Sequence, residues 1–354
     1  MKDKIFIYTP YSGSFYDKYL YHLVNTLNYE EIIIGSPHNF NIELPKNTTF
    51  LKLENLNYWS KANDYKELNA VLELLIELKI SRLHLLRYSY ENLYSVLFNH
   101  PSINKFNISI GIFGYREIIE TNVRQNLFAK LVENNSISSI LVHSISNQII
   151  PLLLEDFRNN PKVHFVSDPI YDDINDYDLE NIVDQKIKLL YFGTFFYGKG
   201  VDILVDASKK ITNDNHQLTI AGDATTANFD ISKIDSTNYY RLINKYLTEK
   251  DVISLMKENN VLILPYRNTY ENGTSGVLVQ AALAGRLMIV PDIFPFNEVV
   301  NKYSLGLTFD PGSSDSLAKS IDNIVENYHS IYSKAKFKDF IENISSWNYM
   351  SNLI

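Results

Sequence analysis

The sequence predicts an α/β protein made of two doubly wound, Rossmann-like domains that face each other across a cleft. Its strand-like runs are continuously apolar, as strands buried on both faces of a parallel sheet require. These runs alternate with stretches of helical periodicity, which predicts helices on both faces of each sheet. The alternation stops at an acidic stretch without apolar periodicity, residues 168–181, and then starts again. Two such units in tandem place a cleft between their sheet edges.

The first predicted domain covers residues 1–170. It opens with a strand at 5–8, and the loop TPYSGSFYD (9–17) then leads into a helix that ends near Leu27. The remaining apolar runs predict strands at 31–35, 49–53, 80–86, 107–112, 139–143 and 162–167, and the remaining helical patterns fit 64–79, 90–99, 115–134 and 146–157.

A linker at 171–186 precedes the second predicted domain, residues 187–330. The same reasoning predicts strands at 187–193, 217–222, 261–265, 286–290 and 304–309, and helices at 200–212, 248–259, 275–284, 296–301 and 313–329. A further helix is predicted at 331–345, and we expect the segment 331–354 to pack back on the first domain.

The stretch around which the chain is organised is VLILPYRNTYENGTSGVLVQAALAGRLMIV, residues 261–290. An apolar strand is stopped by Pro265, and the polar residues that follow form a loop at the carboxyl end of the strand. Ser275 is a good N-cap for a short helix that Gly285 closes. The helix therefore begins at the edge of a parallel sheet where α/β proteins bind ligands.

The first turn of this helix predicts an anion site. It offers free backbone N–H groups, a positive dipole end and the hydroxyls of Thr274 and Ser275, and a diphosphate is the expected guest. Gln280 lies one turn after Gly276 on the same face, within reach of a sugar attached to the diphosphate. Simple helix capping explains Thr274 and Ser275 equally well.

Composition excludes several classes of function. The chain has no Cys, which rules out disulfides, thiolate catalysis and Cys-ligated metal. The net charge is −8 and neither half is basic, which argues against nucleic-acid binding. No H-E-x-x-H or paired-Asp motif is present, so we expect neither a metal nor any other cofactor.

The sequence also predicts where the protein works. The opening MKDKIFIYTP runs straight into a strand and leaves no room for a signal peptide. No apolar run approaches the ~20 residues that a membrane-spanning helix needs. We therefore expect a cytoplasmic protein with at most peripheral association with the inner face of the membrane.

Three segments in the second half resemble a known family. LLYFGTFFYGKGVDILVDASKKI (189–211), LTIAGD (218–223) and VLILPYRNTYENGTSGVLVQAALAGRLMIVPDIFPFNEVV (261–300) are similar to the donor-binding domain of GT-B glycosyltransferases. They resemble above all the family 4 retaining enzymes, the glycosyl transferases group 1. The similarity covers about residues 187–310, and in the first half it rests on the order of elements and on the glycine loop Ser12-Gly13-Ser14.

The resemblance implies roles for individual residues. Lys199 stands where the family's lysine contacts the donor diphosphate, and Thr194 stands where the family often has a second basic residue, which Arg267 or Arg241 would have to replace. The family's two glutamates correspond here to Asn272 and Gln280, whose amides still form hydrogen bonds with sugar hydroxyls. The expected donor-binding residues are Gly13, Gly193, Thr194, Lys199, Gly222, Arg267, Gly273, Thr274, Ser275, Gly276, Gln280 and Glu298.

Catalytic and acceptor contacts follow from the same resemblance. Lys199, Asn272 and His84 are the expected catalytic residues, while a lone His in an apolar strand is also typical of a protein core. His84 and the loop GIFGYRE (111–117) are expected at strand ends facing the cleft. The expected acceptor-binding residues are Ser12, Ser14, Arg87, Tyr115 and Arg116, of which the first two also fit a plain strand-to-helix turn.

The function that the resemblance implies is transfer of a sugar, with retained anomeric configuration, from a nucleotide diphosphate sugar to a hydroxyl acceptor. The acceptor would be a glycan, a glycolipid or a protein-linked group, as in the synthesis of bacterial surface polysaccharide or glycolipid. Two alternatives stay open at this point. One is a non-catalytic nucleotide-sugar-binding partner of another transferase, and the other is a GT-B sugar-nucleotide epimerase.

Overall fold

A computed structural model describes residues 4–11, 14–53, 64–87, 100–167, 186–224 and 240–354. The chain forms two compact units. Unit 1 consists of Met1–Tyr171 together with Ser345–Ile354, and unit 2 consists of Asp172–Ile344. The predicted helix at 90–99 lies outside the described residues, as does the predicted linker except for its last residue.

Unit 1 contains a seven-stranded parallel sheet with the strand order β3-β2-β1-β4-β5-β6-β7. Except for the edge strand β3, the apolar strands predicted from the sequence are largely buried, as a sheet covered by helices requires. The elements are β1 (Lys4–Tyr8), α1 (Ser14–Thr26), β2 (Glu31–Ser36), β3 (Thr48–Lys52), α2 (Asp64–Glu77), β4 (Arg82–Leu86), β5 (Asn107–Phe113), α3 (Arg116–Ile119), α4 (Asn122–Glu133), β6 (Ile137–Ser144) and β7 (Val163–Ser167).

Two predicted helices of unit 1 differ from the structure. The helix predicted at 115–134 is two helices, because Thr121 adopts extended backbone and its side chain caps α4 by accepting from the Arg124 N–H. The helix predicted at 146–157 is a loop followed by a short 3-10 helix, Leu152–Phe157, which begins after Pro151. Proline lacks the N–H that a continuous helix needs at this position.

Unit 2 contains a six-stranded parallel sheet with the order β10-β9-β8-β11-β12-β13. The strand β10 was not predicted, because its five residues lack a continuous apolar run. The elements are β8 (Ile187–Phe192), α5 (Val201–Ser208), β9 (His216–Gly222), β10 (Tyr240–Asn244), α6 (Glu249–Glu258), β11 (Val261–Ile263), α7 (Gly276–Leu283), β12 (Leu287–Pro291), α8 (Phe296–Tyr303), β13 (Gly306–Phe309), α9 (Ser314–Glu326), α10 (Tyr328–Tyr332) and α11 (Phe337–Glu342).

The last helix, α12 (Trp347–Asn352), belongs to unit 1. The Trp347 ring packs edge-on against Tyr19 at a centroid distance of 5.0 Å and stacks on His22 at 5.2 Å. The backbone N–H of Ser167 donates to the Ser345 hydroxyl at 3.0 Å, which ties the end of β7 to the start of this segment. The segments that precede and follow unit 2 in the sequence therefore share one core.

Each sheet has one place where the strand order reverses direction. In unit 1 it lies between β1 and β4, and in unit 2 it lies between β8 and β11. Ligands of open α/β sheets bind outside the carboxyl ends of the strands at such a switch point. The loops that follow these four strands are therefore the places to look for function.

Candidate functional site

The residues predicted to bind a diphosphate lie at the switch point of unit 2. The loop after β8 carries Gly193 to Gly200, and the loop after β11 carries Pro265 to Ser275. The two loops touch through hydrogen bonds, because the Arg267 N–H donates to the Gly198 carbonyl at 3.0 Å. The fold thus brings together two motifs that are more than sixty residues apart in the sequence.

Glycine is required at the end of the first loop. Gly200 adopts the left-handed conformation with φ 64°, and a Cβ atom there would lie 1.9 Å from the Pro265 carbonyl oxygen. The close approach of the two backbones brings the short 3-10 turn Tyr197–Lys199 against the strand end of β11. Lys199 is the last residue of this turn and so projects beside the second loop.

Lys199 forms the positive centre of the site. Its Nζ donates to the Tyr266 hydroxyl at 3.3 Å and lies 5.0 Å from the centroid of that ring. The Tyr266 hydroxyl is in turn 3.4 Å from the Ser275 Oγ. No carboxylate among the described residues forms an ion pair with Lys199, so its charge is available to an anion.

The start of α7 adds donors to this centre. Ser275 is the N-cap residue, but its side chain makes no capping hydrogen bond and instead faces Tyr266. The N–H groups of Gly276 and Val277 have no hydrogen-bond partner among the described residues. A helix start with free N–H groups and a neighbouring ammonium is suited to a phosphate group.

Both arginines proposed to supply a second positive charge are paired with carboxylates. Arg267 forms a two-pronged ion pair with Asp202, with Nη1 2.9 Å from Oδ1 and Nη2 2.5 Å from Oδ2. Its guanidinium also lies 3.9 Å from the centroid of the Tyr197 ring. Arg241 pairs with Glu258 at 3.1 Å on an exposed surface. Asp202 thus already compensates the charge of Arg267, and the expected contact of Arg267 with a donor stays a prediction.

Arg267 instead holds the Lys199 turn in place. Besides the Asp202 carboxylate, its Nη1 donates to the Tyr197 carbonyl oxygen at 2.5 Å, while its backbone N–H binds Gly198. These bonds attach the turn to the end of β11 on both sides. Asp202 lies in the first turn of α5, so the same ion pair also ties that helix to the loop.

Other predicted donor residues occupy the rim of the same site. Asn272 adopts the left-handed conformation with φ 60°, and its N–H donates to the Phe294 carbonyl at 2.7 Å. Its neighbours Gly273 and Thr274 are half-buried, as is Gln280 on α7, while Glu298 is exposed in the first turn of α8. Asn272, Gly273 and Thr274 lie in the loop that precedes α7, and the contacts of all five residues with a donor stay predictions.

Gly193, Thr194 and Gly222 differ in what they contribute. A Cβ on Gly193 would lie 3.5 Å from the Lys199 Nζ, so the missing side chain leaves room beside the ammonium. The Thr194 carbonyl accepts a hydrogen bond from the Tyr191 hydroxyl at 3.0 Å, and its side chain is exposed. A Cβ on Gly222 would lie 1.9 Å from the Gly193 carbonyl oxygen, which explains Gly222 by packing rather than by ligand binding.

In unit 1 the structure contradicts the expected position of His84. It is the third residue of β4 rather than a strand end, it is fully buried, and its Nδ1 is 2.9 Å from the Ser109 Oγ. Burial, together with the charge of His143, lowers the pKa of His84 to about 3. A neutral imidazole inside the sheet layer does not reach a substrate, so the catalytic assignment is wrong.

Two of the expected acceptor-binding residues have partners within unit 1 itself. Tyr115 is fully buried, and its hydroxyl donates to the Ile149 carbonyl at 2.8 Å, which makes it a core residue. Arg116 is exposed and pairs with Glu120 at 2.6 Å on the surface of α3. Ser14 begins α1, whereas Ser12 and Gly13 lie outside the described residues.

Arg87 is the one predicted acceptor residue that the described structure places at a switch point. It directly follows β4, and its guanidinium lies 5.3 Å from the centroid of the ring of Tyr11, in the loop after β1. The position agrees with the prediction, whereas contact with an acceptor stays untested.

Sequence reasoning missed Tyr266 and Asp202. Tyr266 bridges the ammonium and Ser275, and the local signal for it was its place right after the strand-ending Pro265. Asp202 offered no signal of its own, because its partner Arg267 is 65 residues away.

The described residues show neither a cluster of metal ligands nor a membrane-spanning helix. Within the described ranges, no three His, Asp or Glu side chains converge in a way that could hold a metal ion. In the same part of the chain, no helix has the length and apolar character needed to cross a bilayer.

Comparison with known proteins identifies relatives of this arrangement. Residues 175–346 match the family model described as Glycosyl transferases group 1. This segment contains the loops after β8 and β11 together with the start of α7. No curated protein matches the chain significantly.

Solved structures share the fold of the whole chain. A glycosyltransferase from Rickettsia africae is 16% identical with a TM-score of 0.72, covering 99% of this chain and 96% of its own. Anabaena HepE in complex with UDP-glucose is 13% identical with a TM-score of 0.66, covering 99% and 98%. WaaG, a glycosyltransferase involved in lipopolysaccharide biosynthesis, is 14% identical with a TM-score of 0.64, covering 98% and 96%. The predicted GT-B fold class is thus confirmed, and at these identities the likeness concerns the fold alone.

Proposed function

We propose that the chain transfers a sugar from a nucleotide diphosphate sugar to a hydroxyl acceptor, because residues 175–346 match the family model described as Glycosyl transferases group 1. The observation that carries this proposal is the unneutralised Lys199 ammonium beside the uncapped start of α7. An ammonium and free N–H groups in one place match the charge and the geometry of a diphosphate.

The chemistry follows from where charge grows during the reaction. When the bond between the sugar and the diphosphate breaks, negative charge develops on the leaving phosphate oxygen. Lys199 and the N–H groups of Gly276 and Val277 stabilise that charge in a partly enclosed place, which lowers the barrier. This positive charge does the work that a metal does in other transferases, so the proposed reaction is metal-independent.

The proposal includes retention of the anomeric configuration by a front-face route. In that route the leaving phosphate oxygen takes the proton of the acceptor hydroxyl, so no separate general base is required. The burial of His84 is consistent with this route, because the imidazole that was expected to act on the acceptor lies in the core. Assembly of a bacterial surface polysaccharide or glycolipid at the cytoplasmic face of the membrane is the proposed setting.

A donor panel tests the proposal. The purified protein is incubated with UDP-, GDP- and dTDP-sugars, with mixed glycan and glycolipid acceptors, with and without EDTA, and released nucleoside diphosphate is measured. UDP-glucose comes first, because HepE has been solved with it. We expect acceptor-dependent release that EDTA does not reduce, and a product whose anomeric proton has the configuration of the donor.

Three other results would contradict the proposal, each in a different way. Binding of a donor without turnover across the panel would indicate a non-catalytic partner of another transferase. Interconversion of donors without an acceptor would indicate an epimerase. An inverted product would remove the front-face route.

A further inference from the structure

The switch point of unit 1 is a second ligand position that the proposed donor site does not use. β1 and β4 are neighbours with Tyr8 opposite Leu85, so both strands end at the same edge of the sheet. The general rule for open α/β sheets places a ligand outside these ends. A transferase has two substrates, and the donor accounts only for the switch point of unit 2.

Arg87 is held firmly at this edge. It adopts the left-handed conformation with φ 53°, which is uncommon for a residue with a side chain. The centroids of the Tyr11, Tyr16 and Phe113 rings lie 5.3, 5.9 and 5.9 Å from its guanidinium carbon. One Nη1–H donates to the Tyr16 hydroxyl. A backbone outlier that surrounding packing maintains is typical of functional positions.

Tyr11, one of the three aromatic residues around Arg87, is fixed as well. The Tyr11 N–H is 3.4 Å from the Thr9 Oγ1, and the ring stacks on Tyr16 with centroids 5.4 Å apart. Thr9 is fully buried and its own N–H donates to the Gly35 carbonyl at 3.1 Å. The guanidinium therefore lies on a preformed aromatic support rather than on a free surface.

Within the described part of the chain, the charge of Arg87 has no paired carboxylate. Glu117 acts on Arg87 only through longer-range attraction, because its carboxylate pairs with Arg124 at 3.7 Å. Five of the seven other arginines have carboxylate partners, namely Arg116, Arg124, Arg158, Arg241 and Arg267.

An enclosed cation without a counter-ion has a physical consequence. Removing a charge from water is costly unless a partner compensates for it. The rings provide part of that compensation through their negative faces. They leave the guanidinium N–H groups other than the one bound to Tyr16 free for a planar, two-pronged contact with an anion.

We propose that the switch point of unit 1 binds the acceptor, and that the acceptor carries an anionic group, a phosphate or a carboxylate, which Arg87 holds. The identification of this ligand as the acceptor rests on the proposed function. The anion site itself rests on Arg87 and its surroundings. A purely structural guanidinium would explain the three rings but not the absence of a counter-ion among the residues that the structure describes.

Calorimetric titration of the full-length protein tests this proposal. The probes are inorganic phosphate, glucose 6-phosphate, glucuronate and glucose, and saturating UDP is present so that the site at Lys199 is filled. We expect at least one anionic probe to bind more tightly than glucose, and its identity distinguishes phosphate from carboxylate. Arg87→Gln should weaken that probe about tenfold or more, since one charged contact is lost.

Two variants serve as controls. Arg87→Lys keeps the charge and should recover part of the affinity, because only the two-pronged geometry is lost. Arg158→Gln removes an exposed arginine of the same unit, which pairs with Glu155, and should leave binding unchanged. Equal binding of glucose and all anionic probes, or full anion binding by Arg87→Gln, would overturn the proposal.

The design also separates this inference from the proposed function. UDP is titrated alone into the wild type and into Lys199→Ala. If UDP fails to bind while Arg87-dependent anion binding remains, the transferase assignment falls and the anion site stands. If UDP binds through Lys199 and no anion binds through Arg87, the reverse holds. With an active donor and acceptor pair, Arg87→Gln should raise the acceptor KM more than it lowers kcat.

Discussion

At the switch point of unit 2 an ammonium donates to a tyrosine hydroxyl, and at that of unit 1 a guanidinium does the same. The two cations are positioned by different means. Lys199 is the last residue of a turn that the Arg267–Asp202 ion pair attaches to β11. Arg87 is held by its own left-handed backbone and by three rings.

The difference indicates what each place can hold. The start of α7 adds several N–H donors to Lys199, which suits a ligand with two phosphates. The described surroundings of Arg87 offer aromatic faces and one planar cation, which suits a single anionic group. We therefore infer two distinct sites from one architecture used twice.

The largest effect is expected at Lys199. Lys199→Ala removes the one unneutralised cation that the described part of unit 2 places at the start of α7, so turnover should fall by about 10²-fold or more. Lys209→Ala is the matched control, because Lys209 pairs with Asp206 on an exposed surface at 3.4 Å. Steady-state kinetics with the best donor measure both variants. Unchanged turnover in a folded Lys199→Ala protein would remove this residue from the mechanism.

A smaller effect is expected at Arg267, which acts by positioning. Arg267→Ala frees the Lys199 turn and leaves Asp202 unpaired beside it, so kcat should fall about tenfold through loss of correct placement. The Arg267→Ala and Asp202→Asn changes should be strongly non-additive with Lys199→Ala, since all three act through one ammonium.

Arg241→Ala provides the comparison for a surface ion pair of the same unit, and it should change neither kcat nor KM. Fully additive losses of activity in the double variants would show that Arg267 supports the fold and not the ammonium.

The smallest effect on activity is expected at His84. His84→Asn should keep turnover, because the imidazole is enclosed and Asn can still bond to Ser109. Its effect should appear in stability instead. Burial lowers the pKa of His84 to about 3, below the ~6.5 of an unfolded chain. The contribution of the neutral imidazole to the free energy of unfolding is therefore complete above pH ~6.5.

As the pH falls below ~6.5, the unfolded state takes up a proton that the folded state refuses, and stability drops by about 1.4 kcal/mol per pH unit. Denaturant unfolding between pH 7 and pH 5 should therefore show a shallower loss in His84→Asn than in the wild type. Parallel profiles for the two proteins would contradict the buried, neutral histidine.

The sequence predicted much of the fold because parallel strands have a strong signal. Runs such as residues 261–264 are apolar at every position, and few other elements require that. The edge strand β10 was missed because it is short and mixed in composition. The helix predicted over 115–134 was wrong at Thr121, where a side chain that caps the next helix outcompetes continued helical backbone.

The site was predictable where its residues are close in sequence. Lys199 between two glycines and Ser275 before a short helix each have a local signature, and the structure brings the two together. The roles of Arg267, His84 and Tyr115 were not predictable, because they depend on partners far away in the chain: Asp202, Ser109 and Ile149. Side-chain direction in a strand decides between core and surface, and a lone residue type does not reveal it.

The return of α12 to unit 1 has a consequence for synthesis on the ribosome. Met350 and Ile354 belong to the same buried cluster as Tyr19 and Leu23, and the Tyr29 hydroxyl donates to the Ile354 carbonyl at 3.2 Å. Unit 2 has all its residues once Ile344 has emerged, whereas unit 1 lacks part of its interior until residues 345–354 have emerged as well. The portion made first is therefore completed last.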